Sequence, residues 1–269
     1  MPDVSGAALK EFKKDKVPFL ALIDGRHIDP NGDGELDSAF LVESIQTLYP
    51  VHPQFDIGIL DWEGQAFQDL QLCSTTDSCF QSAKGQFFRL LRIAKATRPK
   101  IKWGIYFLPF TYYWNRDSLL DRNKQIESLL AACDVLMPSL YDFYPDGTRF
   151  TDNEAYYKQN LRSVLAIGHR LKKPVYVFVW HRWHDSNPDK GLELIPIPEF
   201  KQHMRWITNA KYRSTKVKGL IWFSSDMYFY QVKPSLVPAK TATVQGFHDQ
   251  TLLRYYQALR SVIRVVPLP

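Results

Sequence analysis

Cysteine is scarce in this 269-residue chain, with three residues at positions 73, 79 and 133. Three are too few for the disulfide framework that holds small secreted domains together, so the fold must rest on a packed core. Cys73 and Cys79 are close enough in sequence to bridge, and Cys133, ending an apolar helical stretch, reads as a buried thiol. Long apolar runs are also missing. None reaches the length of a bilayer span, and residues 1–16 are polar, with no apolar signal core. Clusters of like charge are absent too. The net charge of +6 favours a polyanionic partner, yet the basic residues are dispersed and no arginine-rich run points to nucleic acid. There is no short repeat and no linker-like break in composition, so residues 1–269 read as one domain.

What the chain does have is rings. Aromatic residues make up 14% of it, including 7 Trp and 14 Tyr. Such a supply fills a core, and it also suits a cleft that receives the flat apolar faces of sugars. Apolar runs of strand length alternate with helical patterns along the whole sequence. Six strands are expected, at about residues 18–24, 56–63, 102–109, 134–144, 174–180 and 218–226. The alternation predicts an α/β fold, a single irregular (β/α) barrel of the TIM type with fewer than eight regular strands unless two more lie near residues 194–197 and 232–244. Residues 64–76 read as a loop and residues 117–132 as one helix.

The most informative stretch is residues 56–63, DIGILDWE. A mostly apolar run that ends in acids reads as a buried parallel strand with a functional C-terminal end. Side chains two apart point to the same face, roughly 6.5–7 Å along the strand. Asp61 and Glu63 therefore share a face and Trp62 opposes them. The other strand exits offer Tyr106, then Ser139, Tyr141 and Asp142, then Trp180 and His181, and finally Trp222. Polar and aromatic groups arriving from different strands at one rim are how a barrel builds a site. Earlier in the chain, residues 29–37 (DPNGDGELD) carry Asp29, Asn31, Asp33, Glu35 and Asp37 at the ligand spacing of a calcium loop, with Gly34 at the turn. Phe40 replaces the usual twelfth-position acid, and a plain strand-to-helix turn is the competing reading. His181 and His184 beside Asp185 raise a weaker thought of a metal site, but no third clustered ligand is evident and the stretch reads rather as a sugar-binding rim loop.

Taken in order, IGILDWE, KWGIYFLPFTYYWN, LMPSLY, IPIPEF and KGLIWFS resemble the hyaluronidase family of glycoside hydrolases over roughly residues 55–226. The resemblance implies a (β/α) barrel that cleaves β-linked N-acetylhexosaminides in polymers such as hyaluronan or chondroitin. By position it makes Glu63 the general acid/base, Asp61 the orienter of the substrate acetamido group and Tyr141 the donor to its carbonyl oxygen. Tyr106 and Ser139 would line the subsite and Trp222 would wall it; Asp142 and Trp180, read from their strand exits and not from the resemblance, are further rim groups for substrate. Asp61 and Glu63 leave one strand, so they are poorly placed to flank a glycosidic bond from opposite sides, about 5–5.5 Å or 6.5–9.5 Å apart. Substrate assistance removes that difficulty and gives retention. No cofactor is required by this chemistry, and the partner is an acidic poly- or oligosaccharide rather than nucleic acid or a membrane. A secreted or periplasmic location is expected. The pattern departs from the family before residue 56, in lacking cysteines around the ring-rich loop, and at Arg182, where an acid is common.

FDIGILDWE, LYDFY and IWFSSD also resemble chitinases, with Ile59 where a middle acid belongs. That family predicts the same roles for Asp61, Glu63 and Tyr141. Two readings from other classes stand beside these: a carbohydrate-binding barrel without catalysis, and a glycosidase for another sugar with Asp142 or Asp226 as second carboxylate. The decisive geometric requirement is that Asp61, Glu63, Tyr141 and Trp222 meet in one cleft.

Overall fold

A computed structural model describes residues 4–51, 56–113, 116–145 and 152–263, with the backbone alone for residues 116–120. The chain runs α1 (Gly6–Lys14), β1 (Leu22–Asp24), α2 (Gly25–Ile28), α3 (Ser38–Leu48), β2 (Ile57–Asp61), α4 (Gln65–Leu72), α5 (Ser78–Thr97), β3 (Lys102–Ile105), α6 (Arg116–Gln125), α7 (Glu127–Ala132), α8 (Asn153–Leu171), β4 (Tyr176–Val179), α9 (Ile197–Asn209), β5 (Lys211–Tyr212), β6 (Thr215–Lys216), β7 (Gly219–Trp222), α10 (Asp226–Val232) and α11 (Val244–Arg260). Side-chain caps start several helices. Asp37 accepts from the amides of Ala39 and Phe40 to open α3, Asp152 from Ala155 to open α8, and Thr243 from Gly246 to open α11. Among the described residues no helix is long and apolar enough to cross a membrane.

The strands are parallel apart from the short β5–β6 hairpin. β1, β2 and β3 pair in that order, and β4 pairs with β7. Residues 135–139 join the two groups by isolated bridges, Tyr106 to Met137 on one side and Leu136 to Val175 and Ser139 to Phe178 on the other. Pro138 lacks the N–H that a continuous ladder would use, which is why this fourth segment is a string of bridges rather than a regular strand. Five of the six expected strands are thus in place, in sequence order, and the bridged segment holds the position of the other. Residues 194–197 add only an antiparallel bridge, Arg182 to Leu194, before α9 begins, and residues 232–244 hold a short 3-10 turn at Pro234–Leu236 instead of a strand.

Period-two alternation sorts every strand between two cores. Ile57 and Ile59, Val135 and Met137, Phe178 and Trp180, and Ile221 and Phe223 form one inner cluster, which also takes Leu20 and Leu22 from the chain entering β1. Side chains from the first and last strands therefore share one interior. The intervening residues Ile23, Leu60, Trp62, Trp103, Leu136, Val177, Val179 and Trp222 face the helices. Two glycines make this packing feasible. A β carbon at Gly58 would lie 2.4 Å from the Trp103 ring, and one at Gly104 would lie 2.7 Å from the Met137 sulfur.

Three local expectations differ. Residues 64–76 contain α4, whose Ala66, Phe67 and Leu70 are buried at helical spacing against the same core as α5. The helix expected over 117–132 is two, α6 and α7, separated at Ile126. The β5–β6 hairpin was not expected at all. The cysteines behave as read: Cys73 and Cys79 are disulfide-bonded, and Cys133 is a buried free thiol.

Candidate active site

The inner alternation carries past the strand ends, and that is what assembles the rim. On β2 the inner series Ile57, Ile59 continues to Asp61 and Glu63, while Trp62 turns outward and packs on Phe87 with ring centroids 5.3 Å apart. Asp24, at the end of β1, is in register with Asp61. Tyr106 follows β3, Ser139 and Tyr141 follow the bridged segment, and Trp180 follows β4. The Tyr106 hydroxyl lies 3.4 Å from Ser139 Oγ, and Tyr106 and Tyr141 share a side-chain hydrogen bond, with rings 6.2 Å apart. Trp180 lies 5.6 Å from the Tyr141 ring and Phe223 6.0 Å from it. Trp114 and Asn115, from the ring-rich motif, lie outside the described residues.

Electrostatically this rim is short of partners. Burial pushes the Asp61 carboxyl up to about 8, and the neighbouring charges of Glu63 and Asp24 push the same way. Asp61 Oδ1 is buried with no hydrogen-bond partner among the described residues, and so is the Trp180 indole N–H. Glu63 opens to solvent, yet enough protein surrounds its carboxyl that burial raises its pKa, with the charge of Asp185 adding to the rise. Asp24 goes the other way. Its burial would raise the pKa, but hydrogen bonds and charge from Arg26 and His27 outweigh it and keep Asp24 ionised. A fixed anion thus stands beside Asp61. The Glu63 charge is one cause of the raised Asp61 pKa, and Asp61 retains its proton at neutral pH. A retained proton beside two tyrosine hydroxyls can be given to a leaving oxygen.

Two predicted substrate contacts belong elsewhere, so the required meeting of Asp61, Glu63, Tyr141 and Trp222 is not met in full: the first three share the rim and Phe223 stands in the place expected of Trp222. Trp222 faces the helices, where its indole N–H donates to His181 Nδ1 at 3.0 Å and its ring meets Phe12 at 6.2 Å. Phe223, one residue on, takes the inner position. Asp142 is likewise one residue beyond an inner side chain, Tyr141. It accepts from the Tyr157 hydroxyl at 2.9 Å and lies 3.0 Å from His203 Nδ1, buried under α8 and α9. Asp226 is equally removed from the rim. Arg182 donates to both its oxygens at 2.9 and 3.0 Å, and His181 Nε2 lies 3.0 Å from it. These partners hold the Asp226 pKa far below the usual carboxylate range against the opposing effect of burial. The histidine pair is split, His181 in this outer network and His184 at the rim, stacked on Phe143 at 4.5 Å.

The calcium reading of residues 29–37 gives way to the turn reading. Asp29 accepts from the amides of Asp33 and Gly34, Asp33 from Glu35, and Asp37 from Ala39 and Phe40, while Glu35 binds the Gln86 side chain. Each carboxylate in the run faces a local donor rather than a shared centre, with Asn31 exposed at the tip. Among the described residues no group of three or more His, Cys, Asp or Glu could hold a metal ion.

Two rim residues escaped the sequence reading. Asp24 and Phe223 were within reach, because period two extended from Leu22 and from Ile221 places both inward. Asp185 was read within its loop but given no role beside Glu63. It lies in the connection after β4, and only the folded path brings its charge near Glu63.

No family model matches the chain. Over 141 residues, 45% of this chain, it is 32% identical to hyaluronidase-3 of Homo sapiens, and it spans about a third of that protein's length (33%). Two solved structures of bee venom hyaluronidase are similar in fold. One has a TM-score of 0.56 at 16% identity, covering 83% of this chain and 75% of the other. The second, a complex with a hyaluronic acid tetramer, has a TM-score of 0.59 at 17% identity, covering 90% and 87%. The chain is hyaluronidase-like, in sequence over nearly half its length and in fold over most of it.

Proposed function

We propose that this protein is a glycoside hydrolase that cleaves β-linked N-acetylhexosaminides in an acidic polysaccharide of the hyaluronan or chondroitin kind. The observation that carries the reading is the Asp61–Glu63 pair. Both carboxyls have raised pKa values, both act on Tyr106 and Tyr141, and both stand on the inner rim of a hyaluronidase-like sheet. The six parallel segments are taken to close as an irregular barrel around this rim, in one domain.

In this mechanism the substrate's acetamido oxygen attacks the anomeric carbon while Glu63 protonates the departing glycosidic oxygen. The anomeric C–O bond breaks and an oxazolinium ring forms. Asp61 orients the amide N–H and Tyr141 donates to its carbonyl oxygen, so the nucleophile is held by position rather than by a covalent protein bond. Water, losing its proton to Glu63, then opens the ring with net retention. Asp142 and Asp226 are each enclosed by their own partners away from the rim, which supports the reading of the substrate as nucleophile. The Cys73–Cys79 disulfide suits an oxidising compartment, in keeping with a secreted or periplasmic protein.

The test is reducing-end release from hyaluronan, chondroitin and chitin oligosaccharides by wild type and Glu63→Gln. Cleavage by wild type and loss in the variant is the expected result, and equal activity in both removes Glu63 as the acid. Faster release from chitin moves the substrate to the neutral polymer. Calorimetric binding without turnover makes the protein a carbohydrate-binding barrel. One observation favours a second reading, since the charge of Asp185 reaches Glu63. Were Asp185 a partner carboxylate across the bond, a sugar lacking the acetamido group would still be cleaved and Asp185→Asn would abolish that cleavage.

A further inference from the structure

A second surface with glycan-binding chemistry lies outside the rim. Helices α8 and α9 and the β5–β6 hairpin enclose a groove of about 570 Å3. Its cations are Lys158 and Arg162, one turn apart on α8, Arg205 on α9, and Lys211 and Arg213 on the hairpin, and no acidic side chain lines it. Lys158 pairs with Glu154 on its own helix. Among the described residues none of the other four has an ion-pair partner, although the Arg213 guanidinium lies 5.7 Å from the Tyr212 ring. Exposed like charges gathered in one groove repel one another, so an anion entering it gains from all of them at once.

The groove also holds two half-buried rings, Trp206 and Tyr212. Trp206 is fixed from beneath, stacked on His203 at 5.3 Å and set 5.6 Å from Tyr157, both members of the buried Asp142 network. The hairpin is tied to α8 by the His169 Nδ1 to Thr215 Oγ1 contact at 3.0 Å. Rings on a rigid floor with guanidinium groups beside them match a carboxylated or sulfated pyranose, whose apolar face stacks while its acid is bound by arginine. The hairpin leads into Gly219, which pairs with Tyr176 at the first residue of β4, so the groove reaches the sheet end opposite the rim. One short oligosaccharide cannot occupy both places.

We propose that this groove is an accessory binding site for an acidic glycan chain, engaging a stretch of polymer remote from the bond being cleaved. The proposal rests on the reading of the rim as a site for such a polymer. That reading favours a glycan over nucleic acid here, because a single polymer class then satisfies both surfaces.

Binding is measured by calorimetry on the full chain in a Glu63→Gln background, so that turnover does not interfere. The probes are long hyaluronan, a hyaluronan tetrasaccharide and polyuridylate RNA. Reversal of the groove charge in Arg162→Glu/Arg205→Glu is expected to weaken binding of the long polymer by about tenfold or more, the loss of two charge-assisted contacts. Tetrasaccharide binding, and tetrasaccharide turnover with Glu63 restored, are expected to stay unchanged. The milder Arg205→Ala is expected to show part of the same loss, with an unaltered thermal midpoint. Unchanged polymer affinity in both variants overturns the proposal. So does RNA binding through the groove more tightly than hyaluronan, which assigns the surface to nucleic acid. If wild type cleaves no glycan yet charge reversal still weakens polymer binding, the catalytic reading falls and the accessory site stands.

Discussion

Asp61 ends β2 and Asp226 opens α10 a few residues after β7, yet their surroundings push the two acids in opposite directions. Asp226 is enclosed by Arg182, His181 and the Tyr230 hydroxyl, and each of them favours its ionised form. The Trp222 N–H occupies His181 Nδ1, which leaves Nε2 to carry the proton toward Asp226. Asp61 has the reverse environment: an oxygen without a partner among the described residues, an ionised Asp24 beside it and Glu63 two residues on. Burial acts on both, and the difference is in what was buried with them. An acid whose partners are all supplied by the protein holds elements together. An acid left short of partners stays ready for a proton or a substrate.

Exchanging charge at the two centres should break the comparison in opposite ways. Glu63→Gln removes the proton donor and is expected to lower kcat by about 10²–10⁴-fold while the thermal midpoint holds or rises. Steady-state kinetics alongside a melt checks this, and a fall in stability of the same severity would place Glu63 with the structural acids. Asp226→Asn should do the opposite, leaving Arg182 buried without its counter-charge and costing about 3–5 kcal/mol in denaturant unfolding.

The pH dependence should separate the acids further. The Asp61 pKa is raised in the folded state, so folding binds a proton there that the unfolded chain has lost. Its contribution to stability therefore falls as pH rises from about 4 to about 8. Asp61→Asn is expected to raise the midpoint by on the order of 5 °C at pH 8 and by nothing below pH 4, where both forms are neutral. Asp226 has a depressed pKa, so its stabilisation is complete above the unfolded carboxylate range and is lost as pH falls through the folded value. A midpoint difference for Asp61→Asn that is flat with pH would deny the carboxyl its raised pKa. The smallest effect is sterically defined. Trp180→Phe should raise KM several-fold because its ring packs on Tyr141 at the rim and its buried N–H has no partner among the described residues, whereas Trp222→Phe should leave KM alone and cost only about 1 kcal/mol through the lost bond to His181.

Much of the strand framework could be read from residue patterns, because β2, β3, β4 and β7 are short apolar runs with clear flanks. The same reading placed Asp61, Glu63, Tyr106, Ser139, Tyr141 and Trp180 at one rim, where the fold puts them. Two of its residues, Asp142 and Trp222, face away from that rim: Asp142 was read from its place at a strand exit and Trp222 from motif resemblance. Each is one residue out of phase with an inner neighbour, Tyr141 and Phe223, and a one-residue step reverses the face. The same reading left residues 29–37 open between a cation loop and a turn, because Asp and Asn at alternate positions serve turns and helix caps as readily as a cation, and spacing alone does not say where the oxygens point. Helix α4 was missed because it spans only eight residues, few enough to pass for a loop.

The sequence by itself determined the order of the strands, the inward phase of the DIGILDWE run and the pairing of two acids at its end, since these follow from local periodicity. Only the tertiary structure decided which acids were given partners. Whether Asp61 or Asp226 meets an arginine depends on segments far apart in the chain, and so does the arrival of the Asp185 charge beside Glu63. Those encounters, and the pKa values they produce, exist only once the sheet has brought its strand ends to one rim and closed its other face with helices.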